Sequence, residues 1–119
     1  MNIGHARRKI TPQGDIYLIG YRNLPNRLEP ATGVHDDVFA NAILFQQDDR
    51  EVFLFNADVL EFEESMAEEV KTMLAERYGI DRDCVLLSAT HDHTSIVAYH
   101  RSWWTGKFKE DYTRWFLDT

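Results

Sequence analysis

The sequence predicts an α/β fold: a mixed sheet in which a β-hairpin is followed by a βαβ unit. Two apolar runs, residues 38–46 and 51–57, are joined by the polar turn 47–50. Such a short connection is typical of an antiparallel hairpin. An amphipathic helical segment and a third apolar run, residues 84–89, come next. Because parallel strands need a crossover connection, the strand–helix–strand order predicts that runs 51–57 and 84–89 are parallel.

The region before the hairpin predicts one edge strand and a long loop. Residues 3–11 alternate loosely in polarity and stop at Pro12, which indicates a short edge strand. Residues 16–21 form a second short apolar piece that Gly20 closes. The loop over residues 22–33 contains Pro25 and Pro30, and long loops of this kind are often functional.

The crossover is the clearest helix in the sequence. Ser65 and Glu68 fit a capping box at its beginning, and Gly79 is a natural stop at its end. Four apolar side chains at helical spacing would line its buried face: Met66, Val70, Met73 and Leu74. We interpret the methionines on this face as core packing.

Composition narrows the class of protein. The 119 residues suffice for one small domain, and an apolar content of 44% supports a folded core. The net charge of −7 argues against nucleic acid or an anionic membrane surface as the main partner. Cys84 is the sole cysteine, which excludes an intrachain disulfide and a zinc site built from cysteines.

The hydropathy and the end of the chain set two further expectations. No apolar run resembles a membrane span or signal peptide, so the cytoplasm is expected, or secretion if a leader has been removed. Residues 107–119 read as an amphipathic helix that stops without a glycine cap. We therefore expect residues 1–119 to be the first part of a larger layered domain, completed by polypeptide beyond Thr119.

The segment that follows the third apolar run carries the clearest chemistry. His91 and His93 are two residues apart, so in an extended backbone both imidazoles would point to the same side. Neutral imidazole is a common metal ligand, and the pair suits a metal ion. The alternative is a pair of polar loop histidines. Asp92 would point away from the pair, which favours a structural role for it.

The predicted topology places a carboxylate beside this pair. Asp58 follows one parallel strand and His91 follows the other, and the carboxyl ends of parallel strands meet at one sheet edge, where ligands gather. Asp58 could orient an imidazole or bind a metal, or it could serve as a strand-end turn residue. His35 is a weaker candidate, with a surface or loop role as its alternative. A catalytic zinc usually has three protein ligands. Since only one or two can be proposed here, we expect these residues to form part of a metal site.

The aromatic residues near the end of the chain are a separate feature. Tyr99, Trp103 and Trp104 could line an apolar groove, or they could form a core or subunit contact, which leaves an oligomer open.

Five segments of the chain match, in order and spacing, the sequence pieces of one family. They are Ile10-Thr11-Pro12, Gly20-Tyr21, Gly33-Val34-His35 with Ala40-Asn41-Ala42, Asn56-Ala57-Asp58, and Val85-Leu86-Leu87-Ser88-Ala89-Thr90-His91-Asp92-His93. The corresponding family pieces are D-I-T-P, M-G-Y, G-I-H-x-R-L-x-A-R-A, N-A-D and N-V-L-L-S-A-T-H-T-H-S-G-P. The chain thus resembles the N-terminal catalytic domain of the neutral, non-lysosomal ceramidases, which are zinc-dependent amidases.

The resemblance implies a hydrolase that uses Zn²⁺ and activated water to cleave an N-acyl amide bond in a small-molecule or ceramide-like lipid. It implies that His91 binds zinc and that His93 lines the same pocket as a catalytic residue. His35 and Asp58 fall in matching pieces and are candidates for supporting the zinc site or lining the substrate pocket. A second histidine, a glutamate and a tyrosine ligand would come from farther downstream.

The chain also departs from the family pattern. Residues 94–98 replace a Gly-Pro-Gly-rich loop, and Asp37 and Asn41 stand where the family has arginines. A divergent bacterial relative that acts on another amide or ester is consistent with these changes. Two other functions stay open: an inactive binding module of the same fold, and another metal-dependent hydrolase, such as a phosphoesterase that uses Asp58 and both histidines.

Overall fold

A four-stranded mixed sheet dominates the part of the chain that the computed structural model describes, residues 1–14, 16–18, 20–21 and 29–96. Its strands lie side by side in chain order: β1 (Asn2–Lys9), β2 (Phe39–Gln47), β3 (Arg50–Ala57) and β4 (Val85–Ala89). The β1–β2 and β2–β3 pairs are antiparallel, and β3 and β4 are parallel. Helix α1 (Glu64–Tyr78) joins β3 to β4. The predicted hairpin followed by a βαβ unit is confirmed.

The hairpin between β2 and β3 closes tightly. Gln47 and Arg50 are register partners, so Asp48 and Asp49 form the turn. Asp48 has a φ of 55°, a left-handed conformation that aspartate tolerates better than most residues. The structure therefore has the turn at residues 47–50 that the sequence predicts.

Helix α1 begins differently from the prediction. Glu63 occupies the N-cap position without a side-chain capping bond, and Ser65 already lies within the helix. The predicted capping box is therefore wrong. Glu68, which would have completed it, hydrogen-bonds to Arg82 instead. The helix ends as predicted: Gly79 is left-handed, with a φ of 72°, and its N–H donates to the Ala75 carbonyl at 3.0 Å.

The core lies at the edge of the sheet where β3 and β4 end. Ala40 and Ala57 face each other across β2 and β3, and both are buried. They belong to a buried cluster that also includes Ile10, Val59, Met66 and Ile96. Of the predicted helix face, Met66 is fully buried and its three companions partly so. Small side chains in the strands thus let the loops that follow them pack closely.

The remaining segments differ in small ways from the sequence prediction. Cys84 belongs to a 3₁₀ turn (Arg82–Cys84), so β4 begins at Val85. Residues 16–18 contribute one bridge, between Leu18 and Ile96. The predicted helix over 107–119 and the aromatic residues at 99, 103 and 104 lie outside the described residues. Within the described ranges, no helix is long and apolar enough to cross a membrane.

Met66 supplies a direct test of this core. It is 4% exposed, so Met66→Ala should lower the free energy of unfolding by about 2–4 kcal/mol through lost burial and a residual cavity. The measurement is denaturant unfolding of the native full-length polypeptide. Glu76→Ala, at an exposed position on the same helix, is the control and should change stability by less than about 0.5 kcal/mol. Equal effects of the two changes would contradict this placement of the core.

Candidate functional site

The candidate site is built from the two segments that follow the parallel strands. Ala57 and Ala89 are register partners, so β3 and β4 end side by side. Backbone bonds then continue beyond the strands: the Thr90 N–H donates to the Ala57 carbonyl at 3.0 Å, and the Asp92 N–H to the Val59 carbonyl at 3.3 Å. The structure thereby brings the 58–60 segment against the 90–92 segment, as the topology predicted.

The two histidines converge, although not for the predicted reason. The extended-backbone argument is wrong, because β4 ends at Ala89 and His91 has a left-handed φ of 60°. The turn at His91 nevertheless directs both imidazoles to one place. Their ring centroids are 4.9 Å apart, with an interplanar angle of 79°. The pair can therefore act on a single ligand.

The orientation of His91 is fixed by a backbone carbonyl. Its Nδ1 lies 2.9 Å from the Leu60 oxygen. Because a carbonyl oxygen only accepts, Nδ1 carries the proton, and in the neutral imidazole Nε2 then has a lone pair. An imidazole held in this way, with one nitrogen on a carbonyl and the other bearing a lone pair, has the arrangement typical of a metal-binding histidine.

His93 presents a different feature. Its Nδ1 is buried and has no hydrogen-bond partner among the described residues. Buried polar atoms are nearly always partnered, and exceptions are frequent at functional sites. The ring packs against Tyr21 at a centroid distance of 4.9 Å and lies directly against Gly20. Neither Gly20 nor Tyr21 was predicted to belong to the site, although both fall in one of the segments that resemble the family.

The residues present fit part of a zinc site. The neutral His91 ring offers Nε2 as a donor of the class that zinc prefers, and the His93 ring, whose Nδ1 faces Gly20, could offer only Nε2. No group of three or more histidine, cysteine, aspartate or glutamate side chains able to hold a metal ion occurs within the described ranges. The described residues thus offer only part of such a site, and further ligands would have to come from outside them.

Asp58 is engaged with the backbone of β2. Its Oδ2 accepts a hydrogen bond from the Phe39 N–H at 2.8 Å, and its own N–H donates to the Phe39 carbonyl at 2.9 Å. Its carbonyl also accepts from the Ser95 hydroxyl. These bonds match the strand-end role that the sequence left open for Asp58, and they occupy one of its two carboxylate oxygens.

Asp92 also has a structural task. Its Oδ1 accepts from the Thr94 N–H at 2.8 Å and from the Thr94 hydroxyl at 2.7 Å, which closes a tight turn around the second histidine. The structural role predicted for Asp92 agrees with this geometry. Ser95 and Ile96, which follow this turn, are 1% and 5% exposed and anchor the segment that comes after His93.

His35 lies apart from the histidine pair. Its side chain is 98% exposed, and its Nδ1 is 2.6 Å from an Asp36 carboxylate oxygen. It lines a cavity of about 790 Å³ together with Asp58 and Asp92, whereas His91 and His93 are absent from the described lining of that cavity. The structure places His35 near a cavity beside the site and away from the two imidazoles.

Solved structures with the same fold exist. The chain superposes on a neutral ceramidase from Pseudomonas aeruginosa with a TM-score of 0.81 and 22% identity, over 98% of this chain and 19% of that one. A ceramidase complexed with C2 gives a TM-score of 0.80, with the same identity and coverage. No protein-family model matches the sequence. The predicted resemblance is thus confirmed for the fold: the mixed sheet and its helix match part of a larger neutral ceramidase chain.

The role of Asp58 can be measured. Asp58→Ala removes the acceptor of the Phe39 N–H and should lower the free energy of unfolding by about 1–3 kcal/mol, since that N–H is then left unpaired. Asp58→Asn keeps an acceptor oxygen and should cost less than Asp58→Ala. Denaturant unfolding of both variants gives the comparison. If Asp58→Ala is as stable as the parent, the bond to Phe39 does not hold the strand end.

Proposed function

We propose that this chain forms part of a zinc-dependent hydrolase that cleaves an N-acyl amide bond in a ceramide-like lipid. The observation that carries the proposal is the bond from His91 Nδ1 to the Leu60 carbonyl, which leaves Nε2 with a lone pair beside a second imidazole. The shared fold with the neutral ceramidase supports the class of substrate. Since this chain spans only 19% of that protein, the activity belongs to the native full-length polypeptide.

In this proposal His91 holds the metal through Nε2. The Leu60 carbonyl fixes the ring against rotation and keeps the proton on the opposite nitrogen. Zinc, when bound, polarises a substrate carbonyl and activates water for attack. The missing ligands come from outside the described residues, in agreement with the incomplete set of donors found within them.

His93 then acts on the substrate. Its ring centroid is 4.9 Å from that of His91, so a substrate that reaches one imidazole also lies close to the other. From there His93 can donate a hydrogen bond to the amide oxygen as negative charge develops, or transfer a proton to the leaving nitrogen. Asp58 and Asp92 serve this arrangement by holding the two loops, through their bonds to Phe39 and Thr94.

The metal content of the protein tests the role of His91. The native full-length polypeptide should hold about one zinc per chain, and His91→Ala should remove it, because a catalytic zinc has few protein ligands to lose. His35→Ala is the matched control and should leave zinc in place, since that side chain is 98% exposed and apart from the pair. Elemental analysis after dialysis gives the result. Equal zinc in parent and His91→Ala protein would contradict the assignment.

The rate of amide hydrolysis tests the role of His93. His93→Ala should lower kcat by about 10²–10⁴-fold while zinc is retained, as expected when a general acid–base group is removed. His5→Ala, at an exposed position on β1, should leave kcat unchanged. The assay follows release of a fatty acid from a short-chain ceramide, with and without chelator. A parent protein that binds zinc and yet hydrolyses no N-acyl amide would favour the inactive binding module.

A further inference from the structure

The geometry points to Gly20 as a positioning residue for His93, through close contact between its backbone and the imidazole. A Cβ built on Gly20 would lie 2.6 Å from His93 Nδ1, 2.8 Å from its Cβ and 2.9 Å from its Cγ. All three distances are below 3.0 Å, a separation that real Cβ contacts essentially never reach. The histidine ring therefore occupies the space that any side chain at position 20 would need.

The contact also sets the direction of the imidazole. The edge of the ring that carries Cβ, Cγ and Nδ1 faces Gly20, so by covalent geometry Nε2 lies on the far side of the ring. Tyr21 packs against the ring at 4.9 Å and an angle of 41°, and His91 contacts it edge-on. Three neighbours thus hold His93 in an orientation that presents Nε2 away from the glycine.

The backbone at Gly20 and Tyr21 has an uncommon conformation. Gly20 has a φ of 92° and Tyr21 a φ of 50°, so two successive residues are left-handed. Left-handed tyrosine is strained, and such strain persists only where the surrounding structure fixes it. The bridge between Leu18 and Ile96 supplies that support, because it ties this turn to the segment that follows His93.

Backbone strain and ring contact can be separated within this chain. Gly79 also has a positive φ, 72°, but a Cβ there would meet nothing within 4 Å. Gly79→Ala therefore measures the cost of a left-handed alanine alone. Gly20→Ala adds the collision with His93, and the additional collision should disappear when the whole His93 side chain, including its Cβ, is removed.

The experiment is a double-mutant cycle in the native full-length polypeptide, read by thermal unfolding. Gly20→Ala should lower Tm more than Gly79→Ala does. In a His93→Gly background, which also removes the His93 Cβ that lies 2.8 Å from the Cβ built on Gly20, Gly20→Ala should lower Tm only as much as Gly79→Ala. If Gly20→Ala does not fold, folding of the double variant is the expected rescue. An equal loss in both backgrounds, or failure of both variants to fold, overturns the inference.

Catalysis supplies the second readout, which rests on the proposed function. Gly20→Ala, assayed where it is folded, should retain zinc and lose kcat by about 10²-fold with little change in KM, because a displaced ring no longer meets the reacting group. In the His93→Gly background it should cause no further loss. Full kcat in Gly20→Ala overturns the positioning role. A parent without amide hydrolysis overturns only the proposed function, since the unfolding cycle stands independently.

Discussion

The parallel pairing of β3 with β4, prolonged beyond both strands, is the constraint on which the site depends. The Thr90 and Asp92 N–H groups bond to the Ala57 and Val59 carbonyls, so the two exit segments run together for three more residues. The ladder continues directly from the last register pair of the two strands, Ala57 and Ala89. Without this pairing, the Leu60 carbonyl would not reach His91, and the hydrogen bond that orients its ring would be lost.

Where the parallel strands end, two aspartate side chains accept hydrogen bonds from backbone N–H groups. Asp58 binds the Phe39 N–H, and Asp92 binds the Thr94 N–H and hydroxyl. Hydrogen bonds from N–H groups to a carboxylate are among the stronger ones in proteins. Each aspartate thereby joins a loop to its surroundings at the point where a strand ends. In the proposed function, the two aspartates therefore support the site and the two imidazoles carry its chemistry.

Topology was predictable from the sequence because it follows from local patterns. Apolar runs around residues 47–50, and Gly79 after an amphipathic segment, specify a hairpin and a crossover helix without knowledge of distant contacts. The start of the helix could not be predicted in this way, because Glu68 hydrogen-bonds to Arg82 and no capping box forms. The Gly20 contact was equally hidden, because it joins segments far apart in sequence and depends on the left-handed turn at His91. Sequence patterns report which elements form, whereas close approach between loops is a property of the packed structure.

Most of the left-handed residues other than glycine, among those that the structure describes, lie at the candidate site. Among the described residues other than glycine, three have a positive φ: Asp48 serves the hairpin turn, while Tyr21 and His91 border the ring of His93. Such strain is retained only where neighbouring contacts fix the backbone. Here Ser95 and Ile96, both buried, anchor the segment after His93. Thr94, Ser95 and Ile96 therefore hold the segment after the histidine pair, by packing and by the Asp92 turn.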